Sequence, residues 1–208
     1  MLFDEPATLE PDDILAWYEL CSEGLERERQ DTHRRLALQE EIQSHLSDIL
    51  PIGATQSEID DYFSSCQEEL DLSAVLTLAA SAEARIRLDA ALRRKQGTDQ
   101  LSRRLDLLRG DVDSEWRVPL YDHGIVDAWK AYLAAAPGVP DKARKQLANA
   151  IGRFKEILGL RHWVAHGRYW EPVHQIGSYP PVLVARHVNA LYDALREIAS
   201  YGKVMDFA

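Results

Sequence analysis

Residues 72–90 read LSAVLTLAASAEARIRLDA, and this stretch decides which fold the sequence predicts. Its apolar side chains recur with the spacing of one face of an α-helix. The pattern predicts a long central helix that breaks at Gly97. The apolar positions are Leu72, Val75, Leu76, Ala79, Ile86 and Ala90.

Glu83 interrupts the apolar face of this predicted helix. It lies between two apolar positions of the stripe, so helical spacing directs its carboxylate towards the core. Burying an unpaired charge costs several kcal/mol, and Glu83 therefore needs a partner or water. One alternative is an ordinary ion pair with Arg87, four residues further on. Arg87, Asp89 and Arg93 are spaced like a ladder of charges that faces solvent.

Helical periodicity also dominates upstream of this stretch, and strand patterns are nearly absent. The apolar spacing over residues 38–49 predicts a helix that ends before Pro51. Thr55 and Glu58 fit a capping box that opens a further helix towards Glu69.

Downstream of the central helix, the sequence predicts a loop and then three helices. Residues 110–124 have turn residues at both ends and no helical period, so we expect a loop there. Residues 125–136 have a helical pattern, and another helix opens at Asp141. Pro181 can start a last helix, whose apolar positions repeat at intervals of four and three residues up to Ile198.

Together these patterns predict an all-α fold. We expect an up-and-down bundle of four to five long helices with an additional helical N-terminal portion. Two domains are predicted, an acidic helical portion over residues 1–70 and a helical bundle over residues 71–208, without a clear linker between them. A chain of 208 residues, 46% of them apolar, can bury a core of this kind.

The charge of the chain is unevenly distributed. The net charge is −10, and residues 1–70 hold 18 acidic but only four basic residues. Such acidity argues against a general nucleic-acid coat protein, because non-specific binding relies on cationic surface. The remainder of the chain is net basic and stays compatible with a local phosphate site. The acidic portion is either a solvated face or a surface that recruits a basic partner.

Other function classes lack the residues that they need. The longest apolar runs, such as residues 76–82, fall far short of the roughly 18 residues that a membrane span requires, so we expect a soluble, cytoplasmic protein. Cys21 and Cys66 have no disulfide or zinc-site spacing. No phosphate-binding loop, dinucleotide fingerprint, serine-hydrolase elbow or zinc-protease motif is present, and we expect no metal or other cofactor.

A second inward charge is predicted in the helix that opens at Asp141. Leu147, Phe154 and Arg161 are seven residues apart, so the Arg161 guanidinium falls on the line of core positions. Glu83 or water in a cleft could accommodate it, and a capping contact near the end of the helix is an alternative.

His166 follows Arg161 in the stretch LGLRHWVAHGRYW, residues 158–170. Five positions along a regular helix rotate a side chain by about 140°, which would separate the two groups. They meet if the helix unwinds near Ala165, which Gly167 favours, or if His166 of one chain meets Arg161 of another across a two-fold axis.

The motif from Arg161 to His166, RHWVAH, resembles the R-x4-6-H signature of the HEPN superfamily (higher eukaryotes and prokaryotes nucleotide-binding). The resemblance covers residues 71–205, with Glu83 at the position of an inward polar residue on an earlier helix. His162 stands where many members have Asn directly after the Arg.

The resemblance implies a helical domain that forms a homodimer, in which two Arg/His motifs meet at a shared cleft. It also implies a metal-independent ribonuclease with an RNA substrate. Such proteins serve as toxins in toxin–antitoxin or other defence systems, so an antitoxin protein is an expected partner. Other members have lost catalysis and bind nucleotides or RNA.

The predicted reaction is RNA cleavage by attack of the 2′-hydroxyl on the adjacent phosphate, which leaves a 2′,3′-cyclic phosphate. His166 would be the general base or acid, and Arg161 would stabilise charge on the phosphoryl oxygens. Glu83 would orient Arg161 or the partner imidazole. Further candidates for substrate contact are His162, Arg168 and Tyr169. An inactive binding module and a helical scaffold remain as alternative functions.

Overall fold

The computed structural model describes residues 9–38, 46, 49–50, 53–110, 117–121, 123–136, 138–165, 179–202, 204 and 206–207. These residues form six helices and no strand, which confirms the predicted all-α bundle. The helices are α1 (Pro11–Leu38), α2 (Gln56–Gln96), α3 (Gln100–Arg109), α4 (Ile125–Ala135), α5 (Asp141–Ala165) and α6 (Pro181–Gly202).

The central helix α2 is longer than predicted. The capping box is confirmed, since the Glu58 backbone N–H donates to Thr55 Oγ1 at 3.3 Å and the Thr55 N–H donates to Glu58 Oε2 at 2.7 Å. The helix then continues for 41 residues, because no glycine or proline interrupts it before Gly97. The predicted boundary at residues 70–71 therefore lies within one continuous helix.

α2 packs against each of the other five helices, so it is central as predicted. Its inward side chains form the main core together with those of α5 and α6. The last helix contributes the predicted positions from Val184 to Ile198, all buried. Representative core residues are Leu72, Val75, Leu78, Ala82, Ile86, Leu147, Ile151, Phe154, Val184, Val188, Leu191, Leu195 and Ile198.

Helix α1 is anchored to the rest of the molecule by apolar and polar contacts. Ile14 is buried in the main core, and the Tyr18 hydroxyl donates to Asp71 Oδ1 of α2 at 2.8 Å. A second, smaller apolar cluster lies between α1 and the first turns of α2, and includes Ile59 and Phe63. The helix predicted over residues 38–49 lies mostly outside the described residues.

Helix α3 was not predicted from the sequence. Asp99 caps it, since the Ser102 N–H donates to Asp99 Oδ1 at 2.9 Å, and Leu101 and Leu105 are buried in the main core. Gly97 allows the sharp turn from α2, because a side chain there would collide with Ser102 and with a backbone carbonyl of α2. The sequence does contain a signal for this helix, since Asp99, two positions after Gly97, is a favourable N-cap residue.

The other downstream predictions agree with the structure. α4 and α5 begin at the predicted residues, and the described residues between α3 and α4 contain no α-helix. Within the described part of the chain, no helix combines the length and the apolar character that crossing a membrane requires.

The predicted solvent-facing ladder on α2 is wrong. Asp89 and Arg93 have no exposed side-chain surface, and Arg93 Nε donates to Asp89 Oδ2 at 2.8 Å. The Arg93 guanidinium lies 4.6 Å from the centre of the Trp129 ring of α4. The sequence of α2 alone makes this face look polar and exposed, but α3 and α4 cover it. The ion pair and the cation–π contact compensate for burying these charges.

Replacing Arg93 with Ala should lower the free energy of unfolding by roughly 3–5 kcal/mol, because Asp89 loses a buried ionic partner and a cavity opens beside Trp129. Urea denaturation followed by circular dichroism measures the change. The matched control is Arg103→Ala, an exposed arginine on α3, for which we expect a change within about 0.5 kcal/mol. Equal losses in the two variants would contradict the structural assignment.

Candidate functional site

Arg161 lies in the last turns of α5, on the side of the helix that enters the core. α5 buries Leu147 and Phe154 against its neighbours, and the seven-residue spacing of this pair continues to Arg161 and directs it towards α2. The Arg161 side chain is 37% exposed, so it is only partly enclosed. This guanidinium therefore lies at the edge of the core and remains accessible from solvent.

Glu83 of α2 is the acidic partner of Arg161. The distance between Glu83 Oε2 and Arg161 Nη1 is 3.7 Å, and the Glu83 side chain is 17% exposed. Its other oxygen, Oε1, accepts a hydrogen bond from Arg87 Nε at 3.0 Å and forms an ion pair with Arg87 Nη2 at 2.9 Å. Both alternatives considered for Glu83 thus occur together, a local ion pair and a pairing with the second inward charge.

Arg87 extends this cluster to the segment before α4. Its Nη1 donates to the backbone carbonyl of Val118 at 2.7 Å, and its side chain is 10% exposed. Since charge-assisted hydrogen bonds are strong, Arg87 is held at both ends of its guanidinium. We call Glu83, Arg87 and Arg161 the α2–α5 charge cluster.

The α2–α5 charge cluster carries one more positive than negative charge. Arg87 makes two short hydrogen bonds and a close ion pair, whereas the 3.7 Å contact of Arg161 with Glu83 is too long for a direct hydrogen bond. Arg161 Nε also has no hydrogen-bond partner among the described residues. The excess charge therefore resides mainly at Arg161, where an anion such as a phosphate could bind.

Tyr121 adjoins the charge cluster and was missed by the sequence reasoning. Its ring packs beside Phe154, with centroids 6.5 Å apart, and Lys155 Nζ lies 4.8 Å from the ring centre. Its hydroxyl is buried without a hydrogen-bond partner among the described residues. Burial raises the pKa of Tyr121 well above its ordinary value, and the negative charges of Glu83 and Asp127 raise it further. The hydroxyl is therefore neutral at physiological pH.

The structure describes some of the predicted site residues and not others. Glu83 and Arg161 come together, and His162 is exposed on α5. His166, Arg168 and Tyr169 lie outside the described residues, so their catalytic and binding roles stay predictions. In the part of the chain that is described, no group of three His, Cys, Asp or Glu side chains has the arrangement of a metal site.

Comparison with protein-family models, with curated proteins and with solved structures found no significant match to this chain. The resemblance to the HEPN superfamily therefore stays a prediction from the motif and the inward charges.

Tyr121→Phe should leave the free energy of unfolding near pH 7 unchanged or slightly higher, because the hydroxyl that it removes is buried without a partner. Above the ordinary tyrosine pKa of 10.0, the unfolded chain releases this proton while the folded chain retains it. The parent should therefore lose stability as the pH rises from about 9 to about 11, and the variant should lose less.

Denaturant unfolding of parent and variant at about pH 9 and about pH 11 measures this difference. Tyr201→Phe, at a tyrosine that is 42% exposed, is the matched control and should follow the parent. A loss above about 1 kcal/mol at neutral pH in Tyr121→Phe would show that the hydroxyl has a bonding partner.

Proposed function

We propose that this protein is a HEPN-like, metal-independent endoribonuclease that acts as a toxin or as a component of a defence system. The observation that carries the proposal is the position of Arg161. Its guanidinium enters the core beside Glu83, stays partly open to solvent and precedes His166 by five residues. A permanent cation and an imidazole close together in sequence can supply both charge stabilisation and proton transfer.

The proposed reaction requires no bound metal. The 2′-oxygen of the RNA forms a bond to the adjacent phosphorus, and the bond from phosphorus to the 5′-oxygen breaks. An imidazole of His166 accepts the 2′-hydroxyl proton or donates a proton to the departing 5′-oxygen. The products are a 2′,3′-cyclic phosphate and a free 5′-hydroxyl.

Arg161 stabilises the negative charge that builds on the phosphoryl oxygens during this step. Its long contact with Glu83 orients the guanidinium, and its Nε has no hydrogen-bond partner among the described residues. Arg87 is a positioning residue in this scheme, because it fixes Glu83 between α2 and the Val118 carbonyl. His162, Arg168 and Tyr169 are the proposed contacts to flanking parts of the RNA.

A homodimer and an antitoxin protein are the proposed partners, following the resemblance. In such a dimer two Arg161–His166 motifs share a cleft, so that one imidazole can act as base and the other as acid.

A second candidate function is a catalytically silent module that binds nucleotides or RNA. The excess positive charge of the α2–α5 charge cluster supports it, because Arg161 can hold a phosphate without any general base. Calorimetric titration with nucleotides and RNA, alongside the cleavage assay, distinguishes the two functions. Binding without turnover would favour the silent module.

His166→Ala should reduce RNA cleavage by about 10²- to 10⁴-fold, the usual contribution of a general acid or base. Arg161→Ala should reduce it by about 10²- to 10³-fold, because charge on the phosphoryl oxygens loses its stabilising donor. Cleavage of labelled RNA in excess chelator, with end-group analysis for the cyclic phosphate, measures both effects. Expression of the parent should inhibit growth, and expression of these variants should not.

Arg153→Ala is the matched control, since Arg153 lies on the same helix α5 with a side chain that is 59% exposed. It should cleave RNA like the parent. A parent that is active only with added divalent metal, or an Arg161→Ala variant as active as the parent, would remove the proposed mechanism.

A further inference from the structure

The first half of α1 exposes a continuous strip that faces away from α2. Helical spacing places its members on one side of the helix. All of them are exposed, although Ile14 on the opposite side is buried to 2%. We call this strip the outer face of α1, and it consists of Asp13, Ala16, Trp17, Leu20, Glu23, Gly24 and Arg27.

The outer face of α1 exposes two large apolar side chains to solvent. The Leu20 residue is 69% exposed and the Trp17 residue 45%. Gly24 lies one turn beyond Leu20, and no atom would come within 4 Å of a side chain added there. A bulky ring and a shallow depression therefore lie on either side of one exposed leucine, an arrangement typical of a contact surface.

We propose that the outer face of α1 pairs with the same face of a second copy, antiparallel, across a two-fold axis at Leu20. In such a pair, residues equally distant from Leu20 in opposite directions lie opposite one another, at 1.5 Å of rise per residue. Leu20 meets Leu20 of the second copy. Trp17 lies opposite Glu23 of the second copy and next to its Gly24, where the missing side chain leaves room for the indole.

Charge complementarity supports a second copy as the occupant. Asp13 and Arg27 each lie seven residues from Leu20, one on either side, so the antiparallel pair brings each Asp13 to Arg27 of the second copy. A parallel pair would instead place like charges together. Within each chain, Glu23 already pairs with Arg27 at 2.9 Å. Arg27 at one end of the face would repel a purely basic partner. In a pair of copies, it faces Asp13 of the second copy instead.

This interface is independent of the proposed function. α1 packs on α2 and α6, whereas Arg161 lies on α5. Association through α1 therefore joins two copies of the chain whether or not the Arg161 site is catalytic, and it adds to any dimer in which two Arg161–His166 motifs meet.

Sedimentation velocity of the full chain over a range of concentrations tests the inference. The parent should associate. At the same concentration, the Leu20→Arg variant should have half the mass of the parent, because its dissociation constant should be at least about tenfold higher. Asp13→Arg should weaken association through repulsion from Arg27 of the second copy. Asp13→Arg combined with Arg27→Asp should restore it, because the swapped charges again attract across the axis.

Glu19→Arg is the matched control, since it makes the same charge change on α1 beside the outer face rather than on it, and its mass should equal that of the parent. Circular dichroism should show that every variant is folded, because the altered side chains are exposed. RNA cleavage by Leu20→Arg reports separately on the proposed function.

A parent that stays monomeric at all concentrations would overturn the inference. A monomeric parent that binds a lysine-rich peptide would overturn it too, because the partner would then be a basic protein. An unchanged mass in Leu20→Arg would also overturn it, as would a double charge swap that restores no association.

Discussion

The cost of placing the Glu83 carboxylate in the apolar face of α2 is the constraint on which the candidate site depends. α2 contacts each of the other five described helices, so a charge on its inward face must find partners within the fold rather than in water. Arg87 of the same helix and Arg161 of α5 provide them. The partners that compensate this one carboxylate come from α2 and the end of α5, and Arg87 links them to the residues before α4.

The two arginines of the α2–α5 charge cluster meet this requirement in different ways. Arg87 is nearly enclosed, and its hydrogen bonds to Glu83 and to the Val118 carbonyl engage both ends of its guanidinium. Arg161 is more than three times as exposed, and its contact with Glu83, the acidic partner among the described residues, is long. Arg87 and Arg161 therefore share the Glu83 carboxylate. Arg87 has a structural role, whereas Arg161 is exposed enough to contact a ligand.

The buried pair of Asp89 and Arg93 shows the opposite use of charge on the same helix. Neither side chain has any exposed surface, and the Trp129 ring covers the guanidinium. Such a pair can position α4 against α2, but it has no route to solvent or substrate. Accessibility, and not charge alone, separates the candidate site from the structural ion pair.

The sequence by itself determined the fold class, most helix starts and the two inward charges, because apolar periodicity and capping depend on residues only a few positions apart. It did not reveal the unbroken length of α2, the enclosure of Arg93 or the part played by Tyr121 and the Val118 carbonyl. Those features depend on which helix covers which face, and on contacts such as that between Arg87 and Val118, 31 positions apart. Only tertiary packing decides such contacts, because it alone sets which charges are shielded from water.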